Sequence, residues 1–298
     1  MSPTKTLLVV AGPTAAGKTA LCVRLAQELQ TDVVSADSRQ FYRELTIGTA
    51  KPTPAEMDGV RHHFIDSHSI TETYTAGRYE RDCLLCLEEL FREKDVVILT
   101  GGSGLFLKVI TDGLDEMPPA DPEIREELRA WMQRDGLPAL VGELRRLDPV
   151  YYEKVDQKNP QRIIRALEVC RSTGQPYSHF RRGTKIERPF QSIKLCLTRE
   201  REALYTRIDQ RMDAMLAAGL IDEARLLLPY RHHAALQTVG YQEIFPYLDG
   251  TYDYDELVRL LKRNSRRYAK RQMTWFRNQG DYEWVDADEN VRTARRSP

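Results

Sequence analysis

The chain has 298 residues, of which 41% are hydrophobic and 30% charged, so it can bury one large core or two smaller ones and is not a small disulfide-held scaffold. Lysine and arginine together number 44, as do aspartate and glutamate, and the zero net charge means that any surface for a polyanion is local. The five irregularly spaced cysteines and the short apolar runs predict a cytoplasmic protein that makes no membrane contact.

Strand and helix patterns alternate along the first third of the chain. Aliphatic runs predict buried parallel strands at 7–11, 33–36 and 96–100, and a fourth at 193–197. Apolar residues recur at helical spacing between the first three, over 19–29 and 79–92. This alternation predicts an α/β fold with a doubly wound parallel sheet.

The middle of the chain reads as helical throughout. Asp121-Pro122 predicts a helix start, Pro138 opens a second helix, and Asn159-Pro160 starts a third that ends near Gly174. Because the fourth strand follows these helices, we expect an all-helical domain inserted into the sheet core. The predicted division is 1–116 with 189–298 for the core and 117–188 for the insertion. Segments 200–230 and 255–277 are again helical by period, whereas 286–298 is polar.

The motif with the most specific chemistry directly follows the first strand. It matches G-x-x-x-x-G-K-[ST], in which the glycines let backbone N–H groups turn inward toward phosphates. Lys18 can contact two adjacent phosphates, and the Thr19 hydroxyl suits Mg²⁺. The motif alone does not distinguish a nucleotide from another diphosphate, and its structural alternative is a tight turn. The loop consists of Gly12, Pro13, Thr14, Ala15, Ala16, Gly17, Lys18 and Thr19.

The strand at 96–100 lacks the carboxylate that motor and GTPase proteins need for their metal. It runs instead into Gly101, Gly102, Ser103 and Gly104. A small-molecule kinase or a transferase therefore remains, and either one needs an acceptor-binding group after the second strand.

At that second strand the sequence resembles the tRNA dimethylallyltransferases, which attach a prenyl group to an adenine beside the anticodon. The matching blocks follow the family order along most of the chain. They are Gly12 to Thr19, Asp37 to Tyr42, Ile47 to Pro52, His62 to Asp66, Gly101 to Leu105, Asn159 to Glu168, Val239 to Tyr241 and Lys270 to Arg277.

The resemblance implies that Lys18 and Thr19 hold the diphosphate of dimethylallyl diphosphate, with Mg²⁺ as the only cofactor. It implies that Asp37 is the general base toward the adenine N6 amine, which needs a carboxylate beside it. Ser103 stands where the family usually has threonine, and Arg211 resembles an arginine that neutralises the diphosphate. The alternatives are a helix N-cap for Asp37, a tight turn for 101–104 and an ordinary surface position for Arg211.

The resemblance also implies a set of tRNA contacts. Gln40 suits an adenine edge, whereas Arg39 departs from the apolar residue expected there. Independently, the stretch from Arg259 to Arg277 contains no acidic residue and predicts a helix with one basic face for a phosphate backbone. The implied contacts are Asp37, Ser38, Arg39, Gln40, Ser103, Arg125, Gln161, Arg162, Ile163, Ile164, Arg165, Gly240, Tyr241, Lys270 and Arg271.

The expected partners are therefore the tRNA anticodon loop and dimethylallyl diphosphate, bound by a monomer. Rival hypotheses are an adenylate prenyltransferase acting on a free nucleotide, a small-molecule kinase, and a nucleic-acid-binding module whose loop is regulatory. The Cys83/Cys86 and His62/His63 pairs lack companion ligands at metal spacing, so we assign no metal to them.

Overall fold

The structure is a computed structural model that describes residues 5–119, 121–183 and 185–287. The chain divides into two compact units. One comprises the residues up to Thr111 and from Glu187 onward, and the other comprises Asp112–Ile186. Among the described residues, every helix is too short or too polar to span a bilayer.

The first unit contains a six-stranded sheet in which every strand pairs in parallel. Its spatial order is β3-β2-β4-β1-β5-β6, so the first strand lies between the fourth and the fifth. This arrangement confirms the predicted doubly wound α/β sheet. The strands are β1 (Thr6–Ala11), β2 (Val33–Ser35), β3 (His62–His63), β4 (Val96–Gly101), β5 (Gln191–Thr198) and β6 (Glu283–Asp286).

Helices connect the strands of this unit. Two 3₁₀ turns, Leu228–Tyr230 and Ala234–Leu236, lie between the helix that ends at Leu226 and the helix that begins at Tyr241. The helices are α1 (Lys18–Leu29), α2 (Pro54–Met57), α3 (Ala76–Glu93), α4 (Gly104–Thr111), α10 (Arg201–Ala217), α11 (Leu220–Leu226), α12 (Tyr241–Leu248) and α13 (Tyr254–Gln279), counted along the whole chain with α5–α9 in the second unit.

The strand order determines where a ligand can bind. The crossover from β1 to β2 runs toward the β3 edge of the sheet, and the crossover from β4 to β5 runs toward the β6 edge. Neighbouring crossovers that run in opposite directions leave a crevice at the carboxyl ends of the two strands between them. The loops that follow β1 and β4, which begin at Gly12 and Gly102, therefore border one crevice.

The second unit consists of helices. Two of them begin as predicted, since the Asp121 carboxylate accepts the N–H groups of Glu123 and Ile124, and Asn159 accepts that of Arg162. Each capping residue is followed by a proline at the first helical position. The helices are α5 (Pro122–Asp135), α6 (Leu137–Leu147), α7 (Pro149–Tyr152), α8 (Pro160–Thr173) and α9 (Tyr177–Phe180).

A buried carboxylate stabilises this helical unit. The Glu168 side chain is 0% exposed and accepts bonds from Arg125 Nε (3.0 Å), Arg165 Nη1 (3.1 Å) and the backbone N–H of Asp121 (2.7 Å). A buried charge is tolerated when every lone pair is satisfied in this way. Glu168 thus fixes the start of α5 against α8.

We expect Glu168→Ala to lower the free energy of unfolding by about 3 kcal/mol, because it leaves two arginines without their buried partner. The effect lies near the lower end of the usual range because the Arg125 side chain is 37% exposed. Urea unfolding followed by circular dichroism measures it. Glu126→Ala is the matched control, since Glu126 pairs with Arg129 at the surface of the same unit and should cost under about 1 kcal/mol. Equal losses in the two variants would contradict the assignment.

Candidate active site

The loop after β1 has the backbone that a phosphate-binding loop requires. Gly12, Ala15 and Gly17 have φ of 149°, 63° and 103°. A Cβ on Gly12 would lie 2.8 Å from the Leu197 carbonyl oxygen, so only glycine fits where the loop crosses β5. Gly17 then begins α1, whose first N–H groups point into the loop. The backbone of the motif therefore has the form that a phosphate-binding loop requires.

The Lys18 ammonium lies inside this loop. Its Nζ donates to the carbonyl oxygens of Gly12 (3.0 Å) and Pro13 (2.8 Å). Burial lowers the pKa of Lys18 to about 8, the negative charge of Asp37 opposes this shift, and the positive charge of Arg211 adds to it. The site therefore concentrates positive charge at the loop and places the Asp37 carboxylate within its field.

Three arginines contact the loop, one just after β5 and two on α10, and the sequence predicted only Arg211. The Arg211 guanidinium donates to the Thr14 hydroxyl. Arg199 Nε donates to the Ala16 carbonyl and Arg207 Nε to the Ala15 carbonyl, each at 3.0 Å. Arg207 and Arg211 are four residues apart on one helix face, a spacing that sequence alone could have revealed.

Asp37 lies just after β2, in a turn. Its Oδ1 accepts the N–H of Arg39 at 3.0 Å. The alternative interpretation of Asp37 as a helix N-cap is wrong, because the next helix along the described chain begins only at Pro54. Burial lowers the pKa of Lys18 and of Arg211, and the Asp37 charge opposes both shifts, so the carboxylate is near both cations.

The loops after β2 and β4 are joined by their hydroxyl groups. The Ser38 N–H donates to Ser103 Oγ at 3.2 Å, and the two hydroxyls lie 3.0 Å apart. The glycines around Ser103 permit this approach, since a Cβ on Gly101 would lie 2.7 Å from the Ala36 carbonyl oxygen. Ser103 therefore lies beside the Asp37 turn, as its predicted role requires.

Gln40 and Arg39 both bond to backbone carbonyls of other loops. Gln40 Nε2 donates to the carbonyls of Thr49 (3.3 Å) and Ala50 (3.2 Å), and Arg39 Nη1 donates to that of Ala234 (3.1 Å). Both side chains are partly exposed, and an adenine contact by Gln40 would replace its present bonds.

Tyr268, on α13, also lies at this site. Its hydroxyl lies near the Ser103 side chain and the Asp37 carboxylate, both of which act on its pKa. Burial and the Asp37 charge together raise the pKa of Tyr268 to about 12, so the phenol remains protonated. The Arg271 guanidinium lies 5.8 Å from the centre of its ring.

Some of the implied tRNA contacts have structural roles in the helical unit, and for two of them burial contradicts the predicted side-chain contact. Ile163 and Ile164 are buried in the core of the helical unit, so their side chains are not available to RNA. Arg125 and Arg165 are held by Glu168, whereas the neighbouring Gln161 and Arg162 are exposed.

Gly240 and Tyr241 are likewise structural. Tyr241 is fully buried, and its hydroxyl donates to Glu223 at 2.6 Å. The other bonds of Glu223 hold the loop at 46–48 through three backbone N–H groups. The Gly240 N–H is bonded to Glu243 at 2.7 Å. The packing of this segment accounts for both residues without an RNA contact.

The basic face of α13 is smaller than its sequence predicts. Arg266 is paired with Asp209 and Lys262 with Asp213, both acids lying on α10, and Arg259 is paired with Glu256. The exposed cations farther along the helix are Arg267, Lys270, Arg271 and Arg277.

The fold and the loop define this chain as a phosphate-loop α/β protein with a carboxylate, Asp37, close to the loop. Within that class, the family model described as IPP transferase matches residues 40–279. The chain is 54% identical over 285 residues to the tRNA dimethylallyltransferase of Cytophaga hutchinsonii, covering 96% of this chain and 94% of that one. It is 49% identical over 288 residues to tRNA dimethylallyltransferase 2 of Porphyromonas gingivalis, covering 97% and 96%.

Solved structures agree with these relatives. The full-length tRNA isopentenylpyrophosphate transferase of Bacillus halodurans aligns with a TM-score of 0.71 at 38% identity, covering 97% of this chain and 93% of that one. A eukaryotic dimethylallyltransferase acting on tRNA aligns with a TM-score of 0.82 at 26% identity, covering 98% and 77%. The chain belongs to the IPP transferase family, which confirms the resemblance found in the sequence.

Proposed function

We propose that this protein transfers the dimethylallyl group of dimethylallyl diphosphate to N6 of an adenine in the anticodon loop of tRNA. The observation that supports this most directly is the placement of one carboxylate, Asp37, beside a phosphate loop that holds two side-chain cations, Lys18 and Arg211. A prenyl transfer to a weakly nucleophilic amine needs a base at this point, and Asp37 can supply it. The names and structures of the relatives support the same reaction.

The residues of the site form two groups, one that acts on the prenyl donor and one that acts on the acceptor adenine. The backbone N–H groups of the loop, with Lys18 and Arg211, bind the diphosphate and stabilise the charge that grows on it as the C–O bond to the prenyl group breaks. Asp37 takes the proton from the N6 amine as the new C–N bond forms. Ser38, Ser103 and Tyr268 line the acceptor side and orient the base.

Mg²⁺ suits the donor set of this loop. The described residues contain no cluster of three or more carboxylate, imidazole or thiol groups that would bind a metal alone. Thr19, in the first turn of α1, offers a hydroxyl, and the remaining ligands would be diphosphate oxygens and water, which is the coordination that Mg²⁺ prefers. When bound, Mg²⁺ supplies positive charge to the leaving diphosphate.

The exposed cations of α13 are the proposed surface for the tRNA backbone. We expect tRNA affinity to fall steeply with salt, and replacement of both Lys270 and Arg271 by glutamine to reduce the slope of log K against log [salt] by about two. Filter binding at several salt concentrations measures this slope. Arg259→Gln is the matched control, because its side chain is already paired with Glu256 on the same helix. An unchanged slope in the double variant would contradict the proposed surface.

The reaction itself is tested by incubating the protein with labelled dimethylallyl diphosphate and either bulk tRNA or AMP. We expect label in tRNA, recovered as a prenylated adenosine after nuclease digestion. Label in AMP instead would support the adenylate prenyltransferase, and transfer of phosphate from ATP would support the kinase.

A further inference from the structure

We infer that Gln272 is a positioning residue that sets the distance between the donor loop and the acceptor loop, an inference that rests on the proposed function. Gln272 lies on α13, far along the chain from both loops, and its side chain is only 7% exposed. Its Oε1 accepts the Thr14 N–H at 2.9 Å, and its Nε2 donates to the Gly102 carbonyl at 2.9 Å. One side-chain amide therefore bridges the phosphate loop and the loop that carries Ser103.

The two partners fix the orientation of this amide. A backbone N–H can be met only by the amide oxygen and a backbone carbonyl only by the amide nitrogen, so Gln272 has one arrangement that satisfies both. The space on the Gly102 side is closed, because a Cβ there would lie 2.3 Å from Gln272 Nε2. The loop that follows β1 and the loop that follows β4 are thus held at a fixed separation.

This separation matters for a transfer between two bound substrates. The phosphate loop places the donor carbon, and the turn joined to Ser103 places the acceptor amine beside Asp37. A misplacement of about 1 Å between two reacting groups costs as much as 10²-fold in rate. Each loop is anchored by its own strand, so each substrate can still bind when the bridge is lost.

Gln272→Met tests this role, since methionine has a similar length and no amide. With wild type as reference, we expect the single-turnover rate at saturating dimethylallyl diphosphate and tRNA to fall by about 10–100-fold. The dissociation constants for inorganic pyrophosphate and for tRNA, each measured alone, should stay within about threefold. Tm should fall by only a few degrees, because the Thr14 N–H and the Gly102 carbonyl lose their partner. Gln272→Glu keeps the acceptor toward Thr14 but loses the donor toward Gly102, so its rate should also fall, and its added charge should weaken pyrophosphate binding.

Gln279→Met is the matched control, because Gln279 lies exposed on the same helix; its single-turnover rate should equal that of wild type. A Gln272→Met rate within threefold of wild type would overturn the inference. Pyrophosphate and tRNA affinities that fall as far as the rate would also overturn it, since they would indicate a general loss of structure. If wild type itself makes no prenylated tRNA, the proposed function fails instead, and the two failures are thereby distinguished.

Discussion

Replacing Asp37 by asparagine should lower the single-turnover rate of prenyl transfer by about 10²–10⁴-fold, which is the usual contribution of a general base. Asparagine keeps an oxygen that can accept the Arg39 N–H, now made at 3.0 Å, so the turn should survive. We therefore expect Tm and tRNA affinity to remain close to wild type. The measurement uses saturating tRNA and dimethylallyl diphosphate, so that the chemical step is separated from product release.

The matched control for this variant is Asp58→Asn, a change of the same size at an exposed carboxylate of the same unit, which accepts a bond from Gln27 Nε2 at 2.9 Å. It should leave the rate unchanged. A near-normal rate in Asp37→Asn would remove Asp37 from the mechanism. The amine would then have to pass its proton to water or to the departing diphosphate.

The parts of the fold that could be predicted from sequence are those encoded by neighbouring residues. The phosphate loop is eight consecutive residues, and β1 and β4 are uninterrupted aliphatic runs. The short edge strands were missed for the opposite reason. His62–His63 and Glu283–Asp286 contain no aliphatic run, and both are strands only because β2 and β5 pair with them.

The candidate site was harder to predict from sequence than the fold, because it is assembled from segments that are distant along the chain. The bond between Thr14 and Gln272 joins residues 258 positions apart, and no local pattern indicates it. The basic face of α13 was overestimated because its acidic partners, Asp209 and Asp213, lie on another helix. Ile163 was assigned to RNA through the resemblance, whereas helical spacing places it with Leu167 in the core.

Replacing Lys18 by alanine should lower kcat/KM for dimethylallyl diphosphate by about 10²–10³-fold, since it removes the only side-chain cation that belongs to the loop itself. tRNA affinity should be unchanged, because the RNA surface proposed on α13 does not include Lys18. Lys154→Ala, which changes an exposed lysine of the helical unit, controls for the loss of a positive charge. Normal binding of dimethylallyl diphosphate with loss of tRNA binding would show that the loop assignment is wrong.

The lowered pKa of Lys18 gives the same residue a second, independent test. In the free protein this pKa is about 8, well below the usual value of 10.5, because burial favours the neutral amine. The protonated form is the one that binds a diphosphate, so affinity is full below about pH 8 and falls as the pH rises through that value. Titration of dimethylallyl diphosphate binding between about pH 7 and 10 should therefore show a decline that Lys18→Ala lacks. The diphosphate ionises identically with both proteins, so a decline of equal size in the variant would assign the titration to the ligand and not to Lys18.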